Sequence, residues 1–160
     1  MRSEPAVGRT LVLALGNPIL SDDAVGWELA DRLVGKLDGK QFTILKESAA
    51  TLDLLRRLEG YERLVVLDAI QLGTQPVGTL HRFTLQDFAS TIHYSSAHDI
   101  NFATALQMGK DFGYNTPEDV LIYGVEVKEL RRFAEGCTPE VAVELDALAE
   151  QIVQDLQGTT

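Results

Sequence analysis

Two aspartates and one histidine occupy positions in the sequence at which they could form a reactive site. Asp23 lies in the loop GNPILSDD after an apolar run, and Asp68 directly follows the apolar run LVVL. His98 lies in SSAHD, at the start of a predicted helix. A carboxylate at the end of a buried strand is partly desolvated, so it requires a cation, a hydrogen-bond donor or a metal ion. Two carboxylates and one imidazole form a mixed oxygen–nitrogen ligand set, which suits borderline divalent metals such as nickel and zinc.

Each of these residues also has a purely structural interpretation. Asp22 or Asp23 could cap the helix that follows and interact with its positive end. Asp68 could accept hydrogen bonds from a neighbouring loop, and a lone histidine such as His98 is more often a hydrogen-bonding residue than a ligand. We interpret the other two histidines, His81 and His93, as structural or surface residues.

Common catalytic and phosphate-binding motifs are missing from the sequence. The loop GNPILSDDAVG is neither a GxGxxG nor a P-loop sequence, and its two acids would repel phosphate. There is no GxSxG elbow and no HExxH helix. The single cysteine, Cys137, could act as a nucleophile only beside a histidine, and we interpret it as a structural thiol.

Predicted strands and helices alternate along the chain. Apolar runs predict strands at 10–15, 42–45, 64–67, 79–83 and 119–125, and amphipathic spacing predicts helices at 24–33, 52–58, 99–112 and from 138 onward. This alternation predicts one α/β domain over residues 1–160, with its core at about 10–156. The expected architecture is three-layered, α/β/α, around a mostly parallel twisted sheet. In such folds ligands bind at the carboxyl ends of the strands, where the strand order reverses.

The net negative charge of the chain argues against some classes of binding partner. There are 14 Lys and Arg against 24 Asp and Glu, which gives a net charge of −10. A strongly acidic surface disfavours binding to nucleic acid and to anionic lipid. The apolar run at 10–15 is too short to span a membrane, and no signal peptide is visible. We therefore expect a cytoplasmic protein, with a monomer as the simplest state.

In four segments, taken in order, the chain resembles the hydrogenase maturation endopeptidases. LALGNPILSDDAVG resembles the opening strand and acidic loop of that family, and VVLDA resembles its second acidic element. SSAHDINFATAL resembles the histidine segment. YGVEVKEL and CTPEVAVELDAL resemble the closing strand and the C-terminal helix, so the resemblance extends from about 10 to 152.

The resemblance implies a hydrolase with a defined partner. It implies an aspartyl-type endopeptidase that cuts once near the C-terminus of a nickel–iron hydrogenase large-subunit precursor, after nickel has been inserted. It also implies that Asp23, Asp68 and His98 are the metal ligands and the catalytic candidates. The nickel would be carried by the precursor, and other divalent metals could occupy the same ligands.

Some alternatives stay open at this point. Within the family, the site could polarise the scissile carbonyl or activate water, or it could recognise the metal while another group makes the cut. Outside it, the chain could be a non-catalytic metal-binding maturation module or a metal-dependent hydrolase of small molecules. The sequence also departs from relatives in carrying Ala14–Leu15 where a further glycine is common.

Overall fold

The fold is a five-stranded sheet between two layers of helices. The computed structural model describes residues 9–48, 52–91 and 97–158, and at 52, 89–91, 97–101 and 103 it describes the backbone alone. Within these residues the strands are β1 Thr10–Leu15, β2 Phe42–Glu47, β3 Arg63–Ile70, β4 Leu80–Thr84 and β5 Asp119–Glu126. A 3₁₀ turn, Ser21–Ala24, precedes the helices α1 Val25–Leu33, α2 Leu52–Leu58, α3 Leu85–Thr91, α4 Ala97–Asp111, α5 Pro139–Ala142 and α6 Leu145–Gly158.

The sheet is parallel except at one edge. Its strand order is β2-β1-β3-β5-β4, and only β4 runs antiparallel, paired with β5. The connection from β3 to β4 contains no helix, and a parallel return would need a crossover of a dozen or more residues. The predicted single α/β domain with a mostly parallel sheet is confirmed.

Two hydrophobic cores lie on the two faces of the sheet, because successive side chains of a strand point to opposite sides. One core joins α1 and α6 to residues such as Val12, Val65 and Val125. The other joins α2, α3 and α4 to residues such as Leu13 and Val66. Within the described residues, no helix has both the length and the apolar character needed to cross a membrane.

Three details differ from the sequence predictions. β3 continues three residues past Leu67, so Asp68 lies inside the strand; pairing with β5 extends to Ile70 and Glu126. Helix α3 corresponds to none of the predicted helices. The closing helix is divided into α5 and α6, yet the apolar stripe of its sequence is buried throughout: Val141, Leu145, Leu148, Ile152 and Leu156. Thr51, which the sequence offers as the N-cap of α2, lies outside the described residues.

Helix α1 packs unusually close to the sheet at Gly26. A β-carbon at this position would lie 2.6 Å from the Leu67 carbonyl oxygen and 2.9 Å from that of Leu15. Both distances are shorter than any van der Waals contact, and both neighbours are backbone atoms of the two central strands. The missing side chain therefore lets α1 begin directly over the end of β1 and over Leu67 of β3.

Replacing Gly26 with alanine should force α1 away from the sheet. We expect the free energy of unfolding in urea to fall by about 2 kcal/mol or more, because overpacking against backbone is not relieved by a rotamer change. The matched control is Gly39→Ala, whose β-carbon would meet nothing within 4 Å. That variant should stay within about 0.5 kcal/mol of wild type. Equal stability of the two variants would contradict this account of the packing.

Candidate active site

The predicted site residues Asp23 and Asp68 lie where the strand order reverses. From β1 the chain turns outward to β2 and then returns to β3 on the other side of β1. Asp23 lies in the 3₁₀ turn after β1, and this turn contacts β3, the strand that carries Asp68. The two residues are almost fully buried, with 2% and 1% of their surfaces exposed. Two carboxylates are thus desolvated at the ligand-binding edge that the fold predicts.

Backbone donors orient both carboxylates. The Asn17 N–H donates to Asp23 Oδ2 at 2.9 Å, and the Ala69 N–H donates to Asp68 Oδ1 at 2.8 Å. Asp68 follows Leu64 and Val66 on one face of β3, the face that α4 covers. A carboxylate has about four lone-pair positions, so a hydrogen bond that fixes its orientation is compatible with metal binding.

His98 is the second residue of α4, and it belongs to the positions described by backbone alone. Among the side chains that the structure does describe, no group of three or more His, Cys, Asp or Glu is arranged to hold a metal ion. The imidazole of His98 is outside that set, as is His93. The ligand set Asp23, Asp68 and His98 therefore stays a prediction.

Asp22 has a role that the sequence did not indicate. Its carboxylate is fully buried and accepts N–H bonds from Lys128 at 3.0 Å, Glu129 at 2.9 Å and Thr138 at 2.6 Å. The Thr138 hydroxyl donates a fourth bond at 3.0 Å. Asp22 thus attaches the loop before Asp23 to the segment after β5, which fixes the position of that loop.

Neither Asp22 nor Asp23 caps a helix through its side chain, although both lie in the 3₁₀ turn that leads into α1. Neither the 3₁₀ turn nor α1 has a side-chain cap hydrogen bond. The Asn17 side chain helps to shape the loop, because its Oδ1 accepts a hydrogen bond from the Ile19 N–H at 3.1 Å. Gly16 is needed for close approach: a β-carbon there would lie 2.2 Å from the Asp23 carbonyl oxygen. The loop is therefore shaped by its own residues and by Asp22.

A fourth buried carboxylate, Glu126, lies at the same edge of the sheet. It is 2% exposed and accepts N–H bonds from Leu72 at 2.9 Å and Gly73 at 3.3 Å. His81 Nε2 lies 3.3 Å from its Oε1, and the His81 ring stacks on Phe83. The contacts confirm the structural interpretation of His81. They also show that Glu126 holds the β3–β4 connection.

The comparison with protein families decides between the possible assignments. The model of a family described as "Hydrogenase maturation protease" matches residues 28–155, which is most of the chain. This chain belongs to the hydrogenase maturation protease family. The matched region contains Asp68 and His98, whereas Asp23 precedes it.

Individual members of the family are similar over nearly the whole chain. The hydrogenase expression/formation protein HupD of Rhodobacter capsulatus is 27% identical over 153 residues, 94% of this chain and 72% of that protein. The hydrogenase 2 maturation protease of Escherichia coli is 25% identical over 151 residues, 93% and 91% of the two chains. The solved structure of the hydrogenase maturating endopeptidase HybD from E. coli superposes with a TM-score of 0.81, at 25% identity over 94% of this chain and 93% of that one. The chain is a peptidase, and its fold is that of HybD.

Peptidase activity raises the question of a nucleophile, and Cys137 is a poor candidate. It is the free thiol of the chain and is half-buried. Burial, followed by the negative charges of Asp22 and Glu28, raises the pKa of the Cys137 thiol to about 12. A thiol with this pKa holds its proton at neutral pH and is a weak nucleophile. The prediction of a structural thiol is consistent with this environment.

Removing the Asp22 carboxylate should destabilise the hydrogenase maturation protease fold. In Asp22→Ala, the N–H groups of Lys128, Glu129 and Thr138 lose their acceptor, and each unsatisfied buried donor costs about 1–3 kcal/mol. We expect a loss of about 3 kcal/mol or more in urea unfolding. The control is Asp31→Ala, whose side chain is 60% exposed and pairs with Lys46; it should cost at most about 1 kcal/mol. If the two variants lose the same stability, Asp22 does not hold the loop.

The Cys137 thiol should react slowly in the native protein. At pH 8 a pKa near 12 leaves a thiolate fraction on the order of 10⁻⁴, against about a tenth for an ordinary thiol. Alkylation by iodoacetamide should therefore be at least about a hundredfold slower in the folded chain than in urea. Because the folded pKa is raised, the neutral thiol's contribution to stability falls as pH rises from about 9 toward 12. Cys137→Ala should keep its peptidase activity, and loss of activity in a folded variant would contradict the structural assignment.

Proposed function

We propose that this chain removes the C-terminal extension of a nickel–iron hydrogenase large-subunit precursor after nickel has entered the precursor. In this proposal, Asp23, Asp68 and His98 recognise that nickel. The observation that carries it is the pair of buried carboxylates, Asp23 and Asp68, at the strand-order reversal of a hydrogenase maturation protease fold. Desolvated carboxylates at this edge favour a cationic ligand.

The chemistry of the ligand set supports nickel carried by the precursor. Two carboxylates with one imidazole give a borderline donor set, which matches borderline divalent metals better than an all-oxygen site would. The set contains no thiolate, so tight structural zinc is disfavoured. The acidic character of the whole chain, −10 at pH 7, also favours the approach of a cation.

Binding of the precursor's metal would also position the scissile peptide bond beside the two carboxylates. If Asp23 and Asp68 contribute ligands to nickel seated in the precursor, the peptide next to that nickel is brought beside two carboxylates. In hydrolysis, water adds to the peptide carbonyl carbon, the C–N bond breaks, and the departing amine gains a proton. A carboxylate of the pair is suited to accept the proton of the attacking water, and the metal is suited to polarise the carbonyl. Recognition alone, with the cut made by another group, is the competing mechanism.

The test uses the intact mass of the large subunit in cells that lack this protein. In these cells we expect a subunit heavier by one C-terminal peptide, and restoration with wild type should return the shorter mass. Asp68→Asn keeps the acceptor for the Ala69 N–H but removes the charge, so it should fold and process at least about a hundredfold more slowly. The control, Asp31→Asn, changes an exposed carboxylate and should process normally.

Three outcomes separate the alternatives. If the subunit already had its shorter mass in cells that lack this protein, that hydrogenase would not be the substrate of this chain. Processing of a precursor prepared without nickel, at the wild-type rate, would contradict recognition of the metal. If the Asp23→Asn/Asp68→Asn double variant processed the precursor fully, the chain would still be a peptidase, but neither carboxylate would be needed for cleavage.

A further inference from the structure

An exposed apolar pair lies directly beside the loop that carries Asp23. Ile19 is 49% exposed and Phe133 is 78% exposed. A parallel bridge pairs Leu20 with Ala134, and this register places the preceding residues, Ile19 and Phe133, next to each other. We call these two residues, together with the exposed Arg131 and Arg132 that precede Phe133 in the sequence, the Ile19–Phe133 patch.

The backbone under the patch is held by hydrogen bonds on both sides. The Ser21 N–H donates to the Ala134 carbonyl at 2.9 Å, and the Ala134 N–H donates to the Ile19 carbonyl at 3.0 Å. The Asp22 N–H donates to the Glu129 carbonyl at 3.0 Å. Exposure of a large aromatic side chain on such a fixed loop is a preorganised feature, and preorganisation lowers the entropic cost of binding.

Two adjacent arginines, Arg131 and Arg132, precede Phe133 on an acidic chain, and one exposed acid, Glu135, follows Ala134. Glu129 Oε1 accepts the N–H bonds of Arg131 at 2.9 Å and Arg132 at 3.0 Å, so this carboxylate oxygen is directed at the backbone. In the same segment Lys128 is paired with Glu140 at 2.7 Å. Within the part of the chain that the structure describes, neither arginine takes part in an ion pair. Two adjacent unpaired guanidinium groups on a chain of net charge −10 favour a partner surface that bears carboxylates.

The patch is continuous with the candidate active site. Ile19 and Asp23 belong to the same loop, and the Ile19 carbonyl, the Ser21 N–H and both the N–H and the carboxylate of Asp22 are hydrogen-bonded to the 128–138 segment. A chain seated on Phe133 would therefore be fixed relative to Asp23 by a rigid connection of four residues.

We propose that the Ile19–Phe133 patch docks an extended acidic segment of the hydrogenase precursor. An apolar side chain of that segment would lie on Ile19 and Phe133, and its carboxylates would pair with Arg131 and Arg132. The inference rests on the proposed function for the identity of the partner. A second copy of this chain is a poorer occupant, because the two side chains can bury only on the order of 300 Å² and a stable dimer needs roughly 800 Å² per partner.

The test measures cleavage of the nickel-loaded precursor by the full chain at varied precursor concentration. Phe133→Ser and the double variant Arg131→Glu/Arg132→Glu should each raise KM about tenfold or more and leave kcat near wild type, because they remove binding without touching the reacting groups. The wild-type KM should rise with salt, and the double variant should lose most of this dependence.

The matched control is Phe112→Ser. Phe112 is 70% exposed but follows α4, on the way to the amino end of β5 and away from the carboxyl ends of the strands. This variant should keep the wild-type KM, which separates the patch from a general effect of losing an exposed phenylalanine. As a rescue, changing single acidic residues of the precursor's C-terminal region to lysine should find one that restores KM with the double variant.

Failure of docking and failure of the proposed function give different results. If wild type cleaves the precursor and the patch variants have the wild-type KM, the proposed docking surface is wrong and the proposed cleavage activity is supported. If wild type binds the precursor through the patch but does not cut it, docking stands and the cleavage is wrong. No binding of the precursor by wild type, or a wild-type dimer that Phe133→Ser converts to a monomer in sedimentation velocity, would overturn the patch as a precursor site.

Discussion

The carboxylate of Asp22 is the interaction on which the candidate site depends. It is fully buried, and its donors lie 106 to 116 residues further along the chain. A buried charge is tolerated only where hydrogen bonds replace its lost hydration, and four donors on one carboxylate meet that requirement. Because three of these donors are backbone N–H groups, the bond network depends on the path of the 128–138 segment. The loop that carries Asp23 therefore takes its conformation only when β5 and the segment after it are in place.

This attachment also explains the irregular backbone around Asp23. Ser21 has a φ of 49°, a region in which a residue with a β-carbon costs on the order of 1–3 kcal/mol. Its N–H donates to the Ala134 carbonyl, so the strained residue is held by the same segment that binds Asp22. On the other side, Gly16 lets the Asp23 carbonyl approach the end of β1 more closely than any side chain would allow. The turn is held from both sides, which keeps Asp23 buried at the edge of the sheet.

The sequence predicts the parts of this molecule that depend on local pattern. Continuous apolar runs located the buried strands, and alternation with amphipathic helices gave the parallel sheet and its ligand-binding edge. The role of Asp22 could not be predicted, because its partners are backbone groups more than a hundred residues away and backbone groups leave no sequence signal. The strand end beyond Asp68 was missed for a related reason: the pairing of Ile70 with Glu126 is decided across the sheet. The role of Glu126 could not be predicted either, because its donors Leu72 and Gly73 lie on another connection.

Two regions of opposite charge near one edge of the sheet would orient a protein partner. The buried carboxylates Asp23 and Asp68 favour a cation, whereas Arg131 and Arg132 favour acidic side chains. In the proposed complex, a precursor that presents its metal to the first pair and an acidic segment to the second can bind in only one direction, since the reverse orientation places like charges together. Binding energy gained at Phe133 would then be used to position one peptide bond rather than to hold the precursor in many ways. In the proposed complex, selection of a single bond would thus follow from the rigid connection that Asp22 makes between the two regions.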